Sequence, residues 1–229
     1  DRMAMRHWMP MEQSEEVFPC APFGSEAPPK TLMLDVQPDR YDPDRLWIEG
    51  WGVGFVSFDM RTHAFTPHVV QRELNDLVNV VRSAAQTSAS SWQVVIDDAL
   101  YALHTVGDSS GLRPLRSSAI TRTVLRTARG DLFLGGFGKV WAVPPTAHDA
   151  TPMRHALAMS NTHAFGAREG DGYWAVHFYA ERRLMRLDAD GRELFSIAFP
   201  ADTLPYEAFR LVQVRNGDLW LGTTRGLMR

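Results

Sequence analysis

The fold of this chain is constrained most strongly by a short pattern that occurs five times along the sequence. Each copy has a strand-forming run, a tight acidic turn and a second strand-forming run that carries an aromatic residue. The aromatics are Trp47, Tyr101, Phe133, Trp174 and Trp220, so four intervals cover 173 residues and average about 43. A period near that value, with four-stranded units, is typical of β-propeller blades. The sequence therefore predicts an all-β propeller with about five visible blade repeats.

Composition limits the class of protein without fixing a function. The 229 residues are 45% hydrophobic, which suffices for one large all-β domain or two small ones. No run approaches the ~20 apolar residues of a membrane helix, and a net charge of −3 provides no broad basic surface for nucleic acid. Cys20 is the single cysteine, which excludes an internal disulfide and a CxxC metal site. We expect a soluble chain with no membrane segment, no nucleic-acid partner, no metal and no cofactor.

The chain divides into an N-terminal segment and a repeat region. Residues 1–30 contain several prolines and a cluster of glutamates, and Met3–Met9 is a strand-like run within them. We predict that residues 31–229 form the propeller repeats. The blades are expected at about 31–70, 83–120, 121–160, 161–200 and 209–229.

The last copy of the pattern stops in its third strand, and two explanations remain open. Met3–Met9 could close a five-bladed ring, since ring closure removes exposed sheet edges. Alternatively, the chain is a piece of a larger propeller, which the abrupt stop favours. In the weakest repeat, residues 72–82 have the apolar spacing of a short helix that connects two blades, and residues 83–91 form a polar insert.

Three segments resemble the two-component regulator propeller repeat, which runs approximately N/D-G-x-L-W-[IVL]-G-T-x-x-G-L-x-[RK]. Residues 216–229 match it most fully, residues 44–55 are similar with Glu49 in place of Gly, and residues 130–138 have Phe133 in place of Trp. In physical terms, Asn-Gly or Asp-Gly makes the hairpin turn and Leu and Trp pack the two faces of the blade. The Gly-Thr pair lets adjacent blades approach closely. The resemblance covers residues from about 31 to 229 and is weak in the second blade.

Members of this family form the extracytoplasmic sensing region of bacterial hybrid two-component systems, and some relatives carry a diguanylate cyclase output. The resemblance implies a periplasmic sensor in signal transduction that binds a ligand, often a carbohydrate, and passes the signal on by rearrangement of a homodimer. The chain is then the non-catalytic receptor part, because any kinase or cyclase activity would lie outside it. A start at Asp1-Arg2-Met3 is compatible with a removed signal peptide.

Candidate ligand contacts lie where the second strand of each blade ends. His177 is predicted at such an end, and Trp51, Phe137, Tyr179 and Arg225 are predicted in the loops that follow. In a closed ring those loops share one face, where aromatic rings suit stacking on a sugar or another flat ligand. For His177 we favour a structural alternative, in which a histidine at the end of a strand contacts solvent or a backbone carbonyl. For each of the other four residues taken alone we favour a packed side chain that anchors its loop. No catalytic residue is predicted.

Other chemical groupings have simpler explanations. The eight histidines show no metal-binding spacing. Asp97-Asp98 and Asp188/Asp190 are paired carboxylates, but both pairs fall where turns are expected, and Asp accepts backbone N–H groups there. The glycines at 52 and 54 and at 135–138 lie between predicted strands, whereas a dinucleotide site needs glycines that open a helix.

Two other functions remain open beside the sensor. Residues 186–192 and 198–200 also resemble propeller enzymes of the gluconolactonase and streptogramin-lyase kind. Those enzymes need a metal held by Glu, Asn and Asp side chains around the channel. The chain has four asparagines, and Asn216 is expected in a turn, which weighs against an enzyme. The third function is that of a protein-interaction scaffold.

Overall fold

The computed structural model describes residues 4–9, 14–19, 32–51, 54–69, 81–107, 109–115, 121–127, 130–143, 154–167, 172–177, 182–190, 192–199, 208–214, 216–223 and 226–229. Within these residues the chain forms β-strands and no helix, so the all-β prediction is confirmed. By its contacts the chain forms two compact units. The first comprises Asp1–Val81 with Thr105–Ser110, and the second comprises Arg82–His104 with Gly111–Arg229.

The N-terminal segment forms a two-stranded antiparallel sheet of β1 (Ala4–Met9) and β2 (Ser14–Pro19). The prolines predict short regular elements here, and each strand has six residues. The strand expected at Met3–Met9 is therefore present, and its hydrogen-bonded neighbour is the acidic segment. Closure of a ring by this strand stays a prediction.

The first sheet of the repeat region is antiparallel and its strands follow in chain order. They are β3 (Leu32–Pro38), β4 (Arg45–Trp51), β5 (Gly54–Asp59) and β6 (Ala64–Val69). One face buries Ile48, Val56 and Phe58, with Leu46 and Phe65 packed beside them. The turn before β6 is held by the Asp59 carboxylate, whose Oδ1 accepts the backbone N–H groups of Arg61 at 2.8 Å and Thr62 at 2.9 Å.

The second sheet is also an antiparallel four-stranded meander. Its strands are β7 (Val81–Ser88), β8 (Ser91–Ile96), β9 (Ala99–Val106) and β10 (Ser109–Pro114). The polar run expected as an insert at residues 83–91 is thus mostly the first strand, and the four consecutive residues 83–86 within it are all buried. Val81 and Arg82 also lie in β7, so the predicted helix is wrong at those two residues. Residues 72–80 of that helix lie outside the described residues.

The position of the repeat aromatic in the second sheet differs from the sequence prediction. Tyr101 lies on β9, the third strand, whereas Trp92 lies on β8, the second strand, and is almost fully buried. With Trp92 in place of Tyr101 the intervals between the second-strand aromatics become 45, 41, 41 and 46 residues. The repeat is therefore more regular than the sequence pattern alone indicates.

The next strands form one six-stranded antiparallel sheet. They are β11 (Thr121–Arg126), β12 (Leu132–Val143), β13 (Arg154–Ala167), β14 (Tyr173–His177), β15 (Arg183–Leu187) and β16 (Glu193–Ala198). The boundary expected at residue 160/161 falls inside β13, which pairs with β12 through its first half and with β14 through its second. The glycines at 135–138, expected between two strands, lie inside β12 because the chain stays extended there.

The last sheet has three strands in chain order. They are β17 (Ala208–Gln213), β18 (Leu219–Thr223) and β19 (Gly226–Met228). In the turn before β18, the Asn216 side chain accepts the Asp218 N–H at 3.1 Å, and Gly217 has a φ of 90°. The expectation that Asn216 belongs to a turn is confirmed.

In the second unit, apolar clusters join the successive sheets. The cluster between the second sheet and β11–β12 contains Ala85, Val95, Leu100, Leu115, Val124, Leu132 and Leu134. The cluster between β12 and β14–β15 contains Phe133, Tyr173, Ala175, Met185 and Leu187. The cluster between β14 and β17–β18 contains Trp174, Val176, Leu211 and Leu221. Side chains on both faces of β12 and β14 are therefore buried, because neighbours on a strand point to opposite faces.

Candidate functional site

The predicted ligand contacts centre on the edge where second strands lead into third strands. Trp51 is the last residue of β4, opposite Leu32, and Phe137 lies within β12, opposite Asn161. The loop placement predicted for these two residues is therefore wrong, since both continue a strand. Tyr179 and Arg225 lie outside the described residues. A role in ligand binding stays a prediction for all four.

His177 occupies the predicted strand end, as the last residue of β14. It is opposite Thr162 on one side and Arg183 on the other, and its side chain is only 6% exposed. Burial lowers the pKa of His177 below its ordinary value, and the nearby Arg183 charge lowers it further. At neutral pH the imidazole is therefore uncharged, and it can offer one donor and one acceptor.

A two-residue turn of Asp97 and Asp98 joins β8 to β9 at the same kind of edge. Their φ angles are 49° and 64°, and Ile96 pairs directly with Ala99. Two positive φ angles in a two-residue hairpin loop define a type I′ turn, whose second position is commonly Gly. The prediction of a turn here is confirmed. The sequence pattern places this turn between the first and second strands of its blade, whereas it joins the second strand to the third.

Asp98 also contacts two arginines from different sheets. Its Oδ1 lies 3.2 Å from Arg82 Nε on β7 and 3.0 Å from Arg122 Nε on β11. The side chains are 28%, 26% and 18% exposed for Asp98, Arg82 and Arg122 respectively. Neither contact has the angles of a good hydrogen bond, so both are ion pairs that converge on one carboxylate oxygen. Sequence reasoning missed this cluster because the arginines lie 40 residues apart.

The other predicted carboxylate pair has the structural role that was favoured for it. Asp188 Oδ1 accepts the backbone N–H groups of Asp190 at 2.9 Å and of Arg192 at 2.8 Å. This Asx turn closes the hairpin between β15 and β16. The prediction that Asp188 serves the turn is confirmed.

The first unit contains a separate polar network around Trp47. The Trp47 indole N–H donates to Asp39 Oδ2 at 2.8 Å, and its ring stacks on Phe55 with centroids 4.9 Å apart. The His68 ring lies 4.8 Å from the Trp47 ring. His68 Nε2 is hydrogen-bonded to Ser57 Oγ at 2.9 Å, and His68 Nδ1 to Ser110 Oγ at 2.8 Å. Two hydroxyls thus hold one imidazole against a buried indole.

A β-bulge places His68 in this network. Phe55 pairs with Val69 and the next residue, Val56, pairs with Pro67, so His68 is the extra residue on β6. Bulges re-aim a side chain in this way. One residue in the sequence signals this bulge: Pro67 cannot donate to a central ladder, and proline inside a strand often marks a bulge.

The described residues contain no group of three or more His, Cys, Asp or Glu side chains arranged to hold a metal ion. Asp35 on β3 and Glu49 on β4 are directly opposite each other, which gives two carboxylates on one face of the first sheet. Two ligands fall short of the coordination that structural or catalytic metal sites use. The absence of a metal and of a cofactor stays a prediction.

The described residues define an all-β protein of successive antiparallel sheets, two of which have four strands. No family model matches the chain, and no curated protein matches it. The chain is similar to the solved extracellular domain of the hybrid two-component system BT3049 from B. thetaiotaomicron, with a TM-score of 0.71 and 15% identity. That match covers 99% of this chain and 30% of the other.

Two further solved structures have the same kind of fold. PorZ, a surface component of the type-IX secretion system of Porphyromonas gingivalis, matches with a TM-score of 0.59 and 12% identity, over 94% of this chain and 27% of PorZ. U3-55K matches with a TM-score of 0.66 and 9% identity, over 96% of this chain and 68% of its own length. The chain thus spans about 30% of the first neighbour. The part of the chain that the structure describes holds no helix able to span a membrane.

Proposed function

We propose that this chain is part of a β-propeller receptor, a non-catalytic region that binds a ligand outside the cytoplasm in a bacterial two-component-type signalling protein. The observation that carries the proposal is the likeness of 99% of the chain to the extracellular domain of a hybrid two-component system. The repeat pattern of residues 44–55, 130–138 and 216–229 supports the same family.

The packing of the second unit supports the propeller arrangement. Its apolar clusters join each sheet to the next through both faces, with Phe133 on one side of β12 and Leu134 on the other. Sheets that bury both faces against successive neighbours are the building units of a propeller. A closed ring, a homodimer and a periplasmic location belong to the same proposal.

The ligand is proposed to bind at the edge where second strands end. In the second unit this edge carries the buried neutral His177 at the end of β14 and the Asp97-Asp98 turn after β8. Polar groups that a scaffold holds rigidly at strand ends fix the orientation of a ligand. The candidate contacts predicted at or after the ends of other second strands remain Trp51, Phe137, Tyr179 and Arg225.

A thermal-shift screen of the purified chain against oligosaccharides tests this proposal. A sensed ligand should raise the melting temperature by about 5 °C or more at roughly 100 times its Kd, because it stabilises only the folded state. The shift should saturate with concentration. A blank result across neutral and acidic oligosaccharides would contradict ligand sensing and would favour the scaffold.

Elemental analysis of the same preparation separates the receptor from an enzyme of the lactonase or lyase kind. The proposal expects no stoichiometric divalent metal, and it expects ligand binding to survive treatment with a chelator. A stoichiometric divalent ion whose removal abolishes binding would favour catalysis, since such an ion would polarise the substrate.

A further inference from the structure

Strand β16 lies at one edge of the six-stranded sheet, with β15 as its neighbour among the described strands. Three of its apolar side chains are exposed: Leu194 by 53%, Phe195 by 40% and Ile197 by 53%. Residues two apart on a strand share a face, so Phe195 and Ile197 lie side by side. The Phe195 ring is also fixed by an edge-to-face contact with Trp174, with centroids 5.6 Å apart. The edge therefore presents an ordered apolar surface to solvent.

This edge lacks the features that usually prevent an exposed strand from pairing with another chain, namely charges, prolines and short length. Among the described edge strands, β6 contains Pro67, β7 contains Arg82, β10 contains Pro114, and β19 has only three residues. In contrast, β16 is charged only at its first residue, Glu193, next to a β-bulge. Residues 194–198 are uncharged and include no proline. The edge is therefore open to a further strand.

The hydrogen-bond register tells which backbone groups of β16 face outward. The Phe199 N–H donates to the Arg182 carbonyl oxygen at 2.8 Å, and the register with β15 is regular along this part of β16. Bonded and non-bonded pairs alternate along an antiparallel ladder. Ser196 and Ala198 therefore direct their N–H and C=O groups away from β15. These are the groups with which an added strand would pair.

A second copy of β16 fits this edge when the two strands run antiparallel about a two-fold axis at Ser196. Phe195 then lies directly opposite Ile197 of the second copy, and aromatic and β-branched residues stabilise such cross-strand pairs. The contact is isologous, so each copy covers the edge of the other. We propose that this chain forms a homodimer by antiparallel pairing of β16 with β16 of a second copy. This inference rests on the proposed function, which includes a homodimer, and it assigns the contact surface.

The charges at the two ends of the edge favour the antiparallel orientation. Where β16 begins, the charged residues among those described are three carboxylates and one guanidinium, from Asp188, Asp190, Glu193 and Arg192. Where β16 finishes, they are Arg182 and Arg183 of the adjacent strand end. An antiparallel copy lays each end beside the opposite end of its partner. Complementary potentials across an interface select the orientation in which opposite charges meet.

Sedimentation equilibrium of the purified chain between about 5 and 500 µM tests the dimer. Two paired strands cover a small area, so we expect a Kd on the order of 10–100 µM. Ile197→Lys places a charge on the edge and should weaken dimerisation about tenfold or more. Because Ile197 is exposed, this variant should still fold. Leu112→Lys, at an exposed position on the edge strand β10, is the matched control and should dimerise like the wild type.

A disulfide locates the two-fold axis. Residues that form a hydrogen-bonded antiparallel pair have Cα atoms about 5.5 Å apart, a separation that a disulfide spans. In a Cys20→Ser background, which removes the single native thiol, Ser196→Cys should form a covalent dimer under mild oxidation. Ser109→Cys, at an exposed position on β10, should stay monomeric. Far-UV circular dichroism of each variant establishes that it is folded.

The outcomes for the inference and for the proposed function are separable. A wild-type chain that is monomeric throughout this concentration range, larger oligomers without a closed dimer, or unchanged dimerisation of folded Ile197→Lys would overturn the β16 contact. Equal cross-linking of Ser109→Cys and Ser196→Cys would overturn the register. A saturable thermal shift with an oligosaccharide in a monomeric chain would keep the receptor without this dimer. A β16-dependent dimer with a blank oligosaccharide screen would keep the contact and contradict ligand sensing.

Discussion

Asp39 satisfies donors from both its own turn and the core of the first sheet. Its Oδ1 accepts the backbone N–H groups of Tyr41 at 2.8 Å and Asp42 at 3.1 Å. Its Oδ2 accepts the indole N–H of Trp47, the aromatic of the second strand. One carboxylate therefore couples the turn before β4 to the ring that packs on Phe55.

Replacement of Asp39 by Ala should lower the free energy of unfolding by about 2 kcal/mol, because a buried indole N–H loses its acceptor. Urea denaturation followed by tryptophan fluorescence measures the loss. Asp190→Ala is the control, since its exposed carboxylate lies in a turn that is held by Asp188. An Asp39 variant as stable as this control would show that the carboxylate does not support the core.

His177 should make stability depend on pH in one direction. Its folded-state pKa is lowered by burial and by Arg183, so the unfolded chain binds the proton more readily. The stabilising effect is complete above the unfolded pKa of about 6.5 and is lost as the pH falls through the lower folded-state pKa. We expect the free energy of unfolding to decline as the pH is lowered below that value.

His177→Gln should flatten this pH dependence, and chemical denaturation between pH 5 and pH 8 (about the range in which an ordinary His titrates) measures it. His104→Gln, at an exposed position on β9, is the matched control and should keep the wild-type slope. A wild-type slope in the His177 variant would contradict a buried neutral imidazole.

At the scale of the element, the sequence predicts strands and turns better than it predicts their place in a sheet. The turn expected at Asp188 and Asp190 is the hairpin turn between β15 and β16. Trp92 lies in a strand-forming run before a turn, and Tyr101 lies in a second such run after it. The alternation of apolar and polar residues therefore does not tell which of the two runs is the second strand of the sheet. That order depends on β7, whose polar residues hid a buried strand.

The residue directly before β14 is a glycine whose role the alternation of apolar and polar residues does not reveal. Gly172 has a φ of 131°, and a Cβ there would lie 2.7 Å from the Leu187 carbonyl oxygen on β15. Gly172→Ala should therefore destabilise the protein by about 1–3 kcal/mol. Gly111→Ala on β10 is the matched control, because nothing lies within 4 Å of its Cβ position.

Thermal denaturation of the two glycine variants measures the difference between them. The control should be neutral or slightly stabilising, since alanine reduces the entropy of the unfolded chain. Equal melting temperatures for Gly172→Ala and Gly111→Ala would contradict the close approach of the β14 entry to β15.

At the scale of the whole molecule, sites arise from contacts that no local pattern encodes. The sequence analysis pointed to the ends of second strands, and Asp98 lies at one of them. Arg82 and Arg122 reach it only because neighbouring sheets stack, and their spacing in the sequence matches no motif. The His68 network was missed for a similar reason, since Ser57 and Ser110 lie on different sheets.

We propose that a ligand binds where second strands lead into third strands. Hydrogen–deuterium exchange with and without the oligosaccharide that gives the largest thermal shift tests it most directly. Ligand should slow exchange in peptides that cover residues 94–102 and 173–187, and it should leave β10 and β16 unchanged. Protection confined to β10 and β16, with no change at residues 94–102 and 173–187, would contradict the claim.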